Sequence, residues 1–125
     1  MYEIAHIGLV VKDADRSGRF YRDVLGCQPA GAYEDERVKI AFLKAGTQII
    51  ELVQYQAGEK EPRRAGIVDH LAFKVNDIDA AIAKLREKGV TLLFDAPRTA
   101  LGDKKIFFFA GPDGERLEFI QEAAL

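Results

Sequence analysis

Two long stretches of this chain repeat each other, and the repeat constrains the fold more than any other feature of the sequence. The stretch HIGLVVKDADRSGRFYRDVLG at 6–26 aligns with HLAFKVNDIDAAIAKLREKGV at 70–90. Near the end of each copy, GTQIIELVQ at 46–54 aligns with GERLEFIQ at 114–121. Such self-similarity indicates two copies of one supersecondary unit, here a module of about sixty residues.

Each copy predicts the same order of elements, βαβββ. Apolar alternation predicts the strands, an aspartate caps each helix, and a glycine ends it. In the first copy the predicted elements are a strand over 3–12, a helix capped by Asp13 or Asp15 and ended by Gly26, and strands over 28–34, 37–45 and 47–55. In the second copy they are a strand over 68–76, a helix over 77–88 ended by Gly89, and strands near 91–95 and over 105–110 and 115–122.

The length of 125 residues favours a single domain, 1–125, that contains both copies. We predict that residues 1–55 form the first module and that residues 68–125 form the second. Residues 56–67, QAGEKEPRRAGI, are polar and contain glycine and proline, so they are predicted to be the linker.

Composition argues against several classes of partner. The formal net charge is −2, which gives no overall field that would recruit nucleic acid or an acidic membrane. No apolar stretch of the sequence approaches the roughly 20 residues that cross a bilayer. Cys27 is the single cysteine, so an intrachain disulfide is impossible and a reducing compartment is expected. We therefore expect a cytoplasmic protein that binds neither nucleic acid nor membrane.

Strand alternation assigns the two histidines of the chain to equivalent faces. Successive side chains point to opposite faces, so His6 shares a face with Gly8, and His70 shares one with Ala72. The other face of each strand is apolar and is expected to pack on the helix, while the small neighbour leaves room beside each imidazole. The same alternation sends Phe108 to the face opposite its two neighbouring phenylalanines.

Each module also places a glutamate opposite its large aliphatic side chains. Glu51 lies in IIELV beside Leu52, and Glu118 lies in LEFI beside Leu117. Ionised carboxylates in strands as apolar as these are costly to bury unless they are paired or bound to a cation.

One histidine and one glutamate from each copy form a candidate metal set. A pseudo-twofold relation between the copies would bring four side chains together: His6, Glu51, His70 and Glu118. Two imidazoles and two carboxylates suit Zn²⁺ or Ni²⁺, and also Co²⁺, Mn²⁺ or Fe²⁺. An octahedral ion with four protein ligands keeps two positions for water or substrate. The alternatives are a hydrogen-bonded strand histidine and a strand glutamate that faces solvent.

The duplicated βαβββ order and the motifs quoted above, together with AGPDGERLEFIQE, resemble the vicinal oxygen chelate superfamily. That group includes glyoxalase I, methylmalonyl-CoA epimerase, extradiol dioxygenases, fosfomycin resistance enzymes and metal-free bleomycin-binding proteins. The resemblance implies an α+β fold in which two tandem βαβββ modules form a curved mixed sheet around a metal cavity. It implies the same four ligands, in a cavity closed within one chain or across a homodimer.

By the same resemblance Glu118 would move a proton, and Glu51 would assist it or serve the opposite face. A substrate with two neighbouring oxygens would chelate the ion, and a carbon α to a carbonyl would lose its proton to form an enediolate. A carboxylate beside that carbon takes the proton and returns it, as a lyase or isomerase requires. The expected substrate is a thiohemiacetal, formed from a 2-oxoaldehyde and a thiol, or a thioester.

Two positions depart from glyoxalase I of the bacterial type. There, an arginine four residues after the first histidine and an asparagine four after the first glutamate help to hold glutathione. Val10 and Tyr55 stand at these positions, which argues against glutathione and makes Tyr55 a candidate substrate contact. RVKIAFLKAGTQIIELV and GDKKIFFFAG resemble the epimerase instead. Its extra acidic base would lie near Glu34 and Glu36, for which solvated turn charges are the alternative.

Lys104 and Lys105 follow Gly102 before a predicted strand. An ammonium group on a mobile loop suits phosphate or carboxylate, so both lysines are candidates to bind the anionic end of the substrate. Simple solvation is the alternative.

Two further function classes are weighed against the isomerase. An extradiol dioxygenase uses two histidines and one carboxylate, and here the second glutamate fills a position that O₂ would need. A metal-free binding protein, as in bleomycin resistance, predicts hydrophobic replacements at the ligand positions, whereas all four ligands are intact.

Overall fold

The structure, a computed structural model, describes residues 4–56, 68–100 and 102–122. These residues belong to two compact units, which correspond to the two sequence copies. The linker predicted over 56–67 lies outside the described residues except for Gln56.

The first unit is a four-stranded mixed sheet with one helix. Its sheet order is β1-β4-β3-β2, with β1 parallel to β4 and the other pairs antiparallel. The elements are β1 (His6–Val10), α1 (Ala14–Asp23), β2 (Gln28–Glu34), β3 (Val38–Ala45) and β4 (Gln48–Tyr55).

The second unit repeats this topology. Its sheet order is β5-β8-β7-β6, again with one parallel pair, between β5 and β8. The elements are β5 (Leu71–Lys74), α2 (Ile78–Glu87), β6 (Arg98–Ala100), β7 (Lys104–Ala110) and β8 (Arg116–Gln121). The order βαβββ is therefore confirmed in both copies, as two four-stranded sheets.

Equivalent aspartates begin the two helices. Asp13 accepts a hydrogen bond from the backbone N–H of Arg16 at 3.0 Å, and Asp77 accepts one from Ala80 at 3.1 Å. Each carboxylate satisfies one of the N–H groups that a helix start leaves without an internal partner. Of the two candidate caps in the first copy, Asp13 is the cap, while Asp15 pairs with Lys39 at 2.7 Å.

Equivalent glutamines join each helix to the last strand of its own unit. The side-chain oxygen of Gln54 accepts from the N–H of Ala14 at 2.9 Å, and that of Gln121 accepts from Ile78 at 2.8 Å. The partners are 40 and 43 residues apart, so these bonds fix the helix start against the sheet. They explain why the repeat keeps a glutamine at the end of both IELVQ and LEFIQ.

The core of each unit lies between its helix and one face of its sheet. In the first unit Tyr21 of α1 and Leu52 of β4 are fully buried. In the second unit Leu85 of α2 packs in the same layer as Phe107 and Leu117. The apolar strand face expected to pack on the helix is therefore the buried one, and the opposite face of each sheet carries the histidine and the glutamate.

The strand predicted near 91–95 is wrong. In that segment Leu92 forms only an isolated bridge to Phe109, and the second strand of the module is β6, after Pro97. The side chain of Phe94 turns to pack edge-on against Phe107 and Phe108, at centroid distances of 6.2 and 5.3 Å. The apolar residues 91–95 have the composition of a strand, but their phenylalanine packs against the rings of β7 and the segment does not form one.

Phe108 lies on the open sheet face, as its alternation with its neighbours predicts. It pairs in register with Glu118, whereas Phe107 and Phe109 pair with Phe119 and Leu117. Phe108 is nevertheless buried, with only 8% of its surface exposed, because His70, Phe94 and Arg116 surround its ring.

Candidate metal centre

In the first unit, strand pairing brings His6 and Glu51 together on the open face. Glu51 pairs in register with Gly8, two residues beyond the histidine. Nδ1 of His6 lies 3.2 Å from Oε2 of Glu51. A Cβ added to Gly8 would contact no atom of the described residues within 4 Å, so the space beside His6 is open.

In the second unit, the same pairing brings His70 and Glu118 together. Glu118 pairs in register with Ala72 on one side and Phe108 on the other. Nε2 of His70 lies 3.3 Å from Oε1 of Glu118. The Glu118 side chain is 10% exposed, against 19% for Glu51 in the first unit.

The second nitrogen of His70 has its own partner. Nδ1 lies 2.7 Å from Oδ2 of Asp69, and Nη1 of Arg116 lies 3.0 Å from both oxygens of that carboxylate. The hydrogen bond with His70 and the charge of Arg116 hold the pKa of Asp69 below its ordinary value. Because an ionised carboxylate only accepts hydrogen bonds, this contact favours a form of His70 that has a proton on Nδ1.

The groups around Glu118 fit a bound cation. In the tautomer with its single proton on Nδ1, the imidazole of His70 has a lone pair on Nε2, the nitrogen that faces a carboxylate oxygen of Glu118. Two acceptors at that distance need a proton or a metal ion between them. Across the described part of the chain, Glu118 has no lysine or arginine partner that would balance its buried charge. Imidazole nitrogen and carboxylate oxygen are ligands that borderline divalent ions accept.

The structure shows two His–Glu pairs, each within its own unit. Among residues 4–56, 68–100 and 102–122, no group of three or more His, Cys, Asp or Glu side chains forms a metal site. Convergence of the four predicted ligands, and the metal cavity itself, stay predictions.

The predicted substrate contacts lie in different environments. Lys104 is on the face of Glu118, by its alternation with Phe108, and its ammonium lies 3.3 Å from Glu122. Lys105 pairs with Gln121, whose side chain reaches α2, so Lys105 lies on the helix face, away from Glu118.

Tyr55 is 45% exposed at the end of β4. It lines an open cavity of about 420 Å³. The other lining residues are Asp35, Arg37 and Val38. Val38 pairs in register with Tyr55, so both lie on the sheet face that also carries Glu51.

The profile of the Glyoxalase/Bleomycin resistance protein/Dioxygenase superfamily matches residues 3–119. The chain belongs to this superfamily. Two of its curated relatives, both distant, have named activities. The lactoylglutathione lyase of Haemophilus influenzae is 33% identical over 124 residues, covering 95% of this chain and 92% of that protein. The mitochondrial methylmalonyl-CoA epimerase of Mus musculus is 27% identical over 117 residues, covering 86% of this chain and 65% of that protein.

A solved structure of the superfamily supports the same fold. The glyoxalase family protein from Enterococcus faecalis superposes with a TM-score of 0.79 at 28% identity, covering 94% of this chain and 96% of that one. The family resemblance and the α+β fold predicted from the sequence are thus confirmed. Within the described ranges, no helix of this superfamily member is long and apolar enough to span a membrane.

Three residues around His70 were not predicted from the sequence: two of them contact its side chain, and the third contacts one of those two. Asp69 binds its Nδ1, Arg116 holds Asp69, and Phe108 packs edge-on against its ring at a centroid distance of 5.1 Å. The repeat indicates only positions that the two copies share, and Ala5 and Ile49 stand where the second copy has Asp69 and Arg116. The sequence signal that could have identified Asp69 and Arg116 is that these charged residues occur in the second copy and not in the first.

Proposed function

We propose that this superfamily member is a metal-dependent lyase or isomerase of the glyoxalase I type, which moves a proton on a carbon α to a carbonyl. The observation that supports it is the His–Glu pair on the open sheet face of both units. Such a reaction needs a carboxylate that can exchange a proton beside a stabilised negative charge. Glu118 is the side chain that best meets this need.

The proposed metal site takes one pair from each unit, within one chain or across a homodimer. Its ligands are His6, Glu51, His70 and Glu118, and the ion is Zn²⁺ or Ni²⁺, with Co²⁺, Mn²⁺ and Fe²⁺ as further options. When bound, the ion supplies positive charge that stabilises the negative charge developing on a substrate oxygen.

Glu118 is proposed as the group that takes and returns the substrate proton. Only Oε1 of Glu118 contacts His70, and in the described residues Oε2 has no polar partner, so it is available to a substrate C–H. The low exposure of the side chain keeps bulk water from competing for the proton. Glu51 is proposed to assist, from the equivalent position of the first unit.

The proposed substrate is a thiohemiacetal or thioester with an anionic end. The open face of the first unit exposes three large side chains that could receive its apolar part: Val10, Tyr33 and Tyr55. Lys104 lies on the face of Glu118 and is the cation proposed to meet the anionic end. Because Lys105 lies on the opposite face, we assign it only a peripheral role in attracting that charge.

The test is an assay panel on metal-reconstituted protein, with methylglyoxal and several thiols. We expect turnover with at least one thiol and a loss of about 10²- to 10⁴-fold in kcat for Glu118→Gln, because the proton-transferring group is removed. Glu87→Gln is the matched control, since Glu87 is exposed at the end of α2. Full activity in Glu118→Gln, or an equal loss in the control, would contradict the proposal.

Methylmalonyl-CoA epimerase is the second candidate, supported by the relatedness to the mouse enzyme. The same proton transfer would then return the proton to the opposite face of the same carbon. Neither Glu34 nor Glu36 resembles a buried base, because both are exposed, and Glu34 accepts a hydrogen bond from Gln56 at 3.2 Å. Deuterium exchange into methylmalonyl-CoA, without any turnover of methylglyoxal adducts, would favour the epimerase.

A metal-free binding protein is the third candidate. It would have no use for two buried or half-buried carboxylates beside imidazoles. Protein purified without added metal and found to contain no divalent ion, and to bind none, would favour it.

A further inference from the structure

The two His–Glu pairs differ in what surrounds the histidine. We infer that Asp69 and Arg116 are positioning residues that fix the His70 ring with Nε2 directed at Glu118, so that the second unit offers a preformed half of the metal site. The inference deepens the proposed function and rests on it for its biological meaning. The contacts that support it are those of the chain without a metal ion, so they can be tested in metal-free protein.

Asp69 fixes which nitrogen of His70 carries the proton. The distance of 2.7 Å between Nδ1 and Oδ2 of Asp69 is that of a strong hydrogen bond to a charged acceptor. A neutral imidazole has one N–H and one lone pair, so a proton held on Nδ1 leaves the lone pair on Nε2. That nitrogen is the one 3.3 Å from Glu118. A histidine that ligates a metal commonly donates its other N–H to a carboxylate in this way.

Arg116 holds the carboxylate of Asp69 in place beside the imidazole. Its Nη1 lies 3.0 Å from both oxygens of Asp69, and its guanidinium carbon lies 4.9 Å from the ring centroid of Phe108. Phe108 in turn meets the His70 ring edge-on, with an interplanar angle of 87°. The imidazole is therefore held at Nδ1 by Asp69 and on its side by Phe108, and Arg116 contacts both of these neighbours.

The first unit serves as an internal comparison. Ala5 precedes His6, and Ile49 stands two residues before Glu51, so neither a carboxylate nor a guanidinium is available there. The His6 side chain is 51% exposed, against 34% for His70. In this unit the contact with Glu51 is made by Nδ1, and within the described chain Nε2 has no polar partner. The two copies thus share their ligands but differ in how firmly the histidine is held.

Stability alone does not account for the Asp69–Arg116 pair. Both side chains are well exposed, at 51% and 41%, and ion pairs as exposed as this contribute little to folding. The pair can therefore be removed without unfolding the unit, which makes its effect on His70 measurable.

The first arm of the test reads the tautomer of each histidine in metal-free protein by ¹⁵N NMR of the imidazole, recorded at increasing pH until the ring signals no longer change. We expect His70 in the Nδ1–H form and expect Asp69→Ala to shift it toward the Nε2–H form that predominates in water. Arg116→Ala should shift it in the same direction but less, and His6 should not change. Asp15→Ala is the matched control, since it breaks an exposed ion pair with Lys39 on the helix side of the first unit.

The second arm measures the dissociation constant of Zn²⁺ by competition with a chromophoric chelator. Loss of an outer partner of a ligand histidine weakens metal binding about 10- to 100-fold, and we expect this for Asp69→Ala but not for Asp15→Ala. An unchanged tautomer in both Asp69→Ala and Arg116→Ala would overturn the inference, whatever the metal affinity. A fixed His70 tautomer in a wild-type chain that binds no ion would support the positioning role and contradict the proposed function.

Discussion

At the scale of single residues, the second unit places a carboxylate where burial is costly. Glu118 is buried, and its polar partner within the described residues is Nε2 of His70, so a cation or a proton between the two groups is needed to balance its charge. The pairing of Glu118 with His70 could be predicted, because the sequence repeats it in register with His6 and Glu51. The contacts that hold the His70 ring could not be predicted, since Asp69 resembles an ordinary exposed charge until the structure shows its neighbours.

Cys27 is a reactive group whose reactivity the fold lowers. It is 5% exposed, four residues after the end of α1, and burial raises the pKa of its thiol above the ordinary value. At about pH 8 the folded protein therefore holds less thiolate than a free cysteine would. We expect a thiol-specific disulfide reagent to label the native chain at least about tenfold more slowly than the chain in urea, because access is blocked as well. Since Cys27 is the single cysteine, equal rates would contradict its burial directly.

At the scale of elements, the residues that cap and end the helices could be predicted from the sequence. The glutamine hydrogen bonds that join each helix to its sheet could not. Asp13 and Asp77 stand at the start of the two helices as predicted, and Gly26 and Gly89 follow them with φ of 71° and 68°, which favours glycine. The short strand β6 escaped prediction because three residues after a proline carry no periodic signal. The role of Gln54 and Gln121 also escaped it, because each acts across 40 or more residues.

The cap of α1 gives the prediction at this scale. Asp13→Ala should lower the free energy of unfolding by about 1 kcal/mol at about pH 7, because the N–H of Arg16 loses its partner. Urea unfolding measures the difference. Asp79→Ala is the control, an aspartate in the first turn of α2 whose removal should cost only a few tenths of a kcal/mol.

The pH dependence of that difference follows from the pKa of Asp13. The hydrogen bond from the N–H of Arg16 lowers this pKa in the folded state. A lowered folded pKa means that the stabilisation is complete above the unfolded value, near about 4, and is lost as pH falls through the folded value. The gap between wild type and Asp13→Ala should therefore shrink below about pH 4. A gap that stays constant or widens in acid would contradict the capping role of the carboxylate.

At the scale of the whole molecule, duplication gives each unit one His–Glu pair, and we propose that the two pairs together form one metal site. The order βαβββ and the placement of a His–Glu pair on the open sheet face of each unit were predictable, because they follow from alternation and from the repeat. The closing of the four ligands into one site depends on the arrangement of two units, within one chain or between two. No local pattern of the sequence encodes that arrangement, so it has to be measured.

Metal stoichiometry tests the central claim most directly. The protein is loaded with Zn²⁺ or Ni²⁺, dialysed, and its metal content is determined by elemental analysis for wild type, Glu51→Gln, Glu118→Gln and the control Glu87→Gln. A site that takes one pair from each unit predicts one ion per chain, whether it closes within a chain or across a homodimer. Both ligand variants should lose the ion or bind it far more weakly, and the control should retain it. Two ions per chain, or full retention in either ligand variant, would contradict the shared four-ligand site.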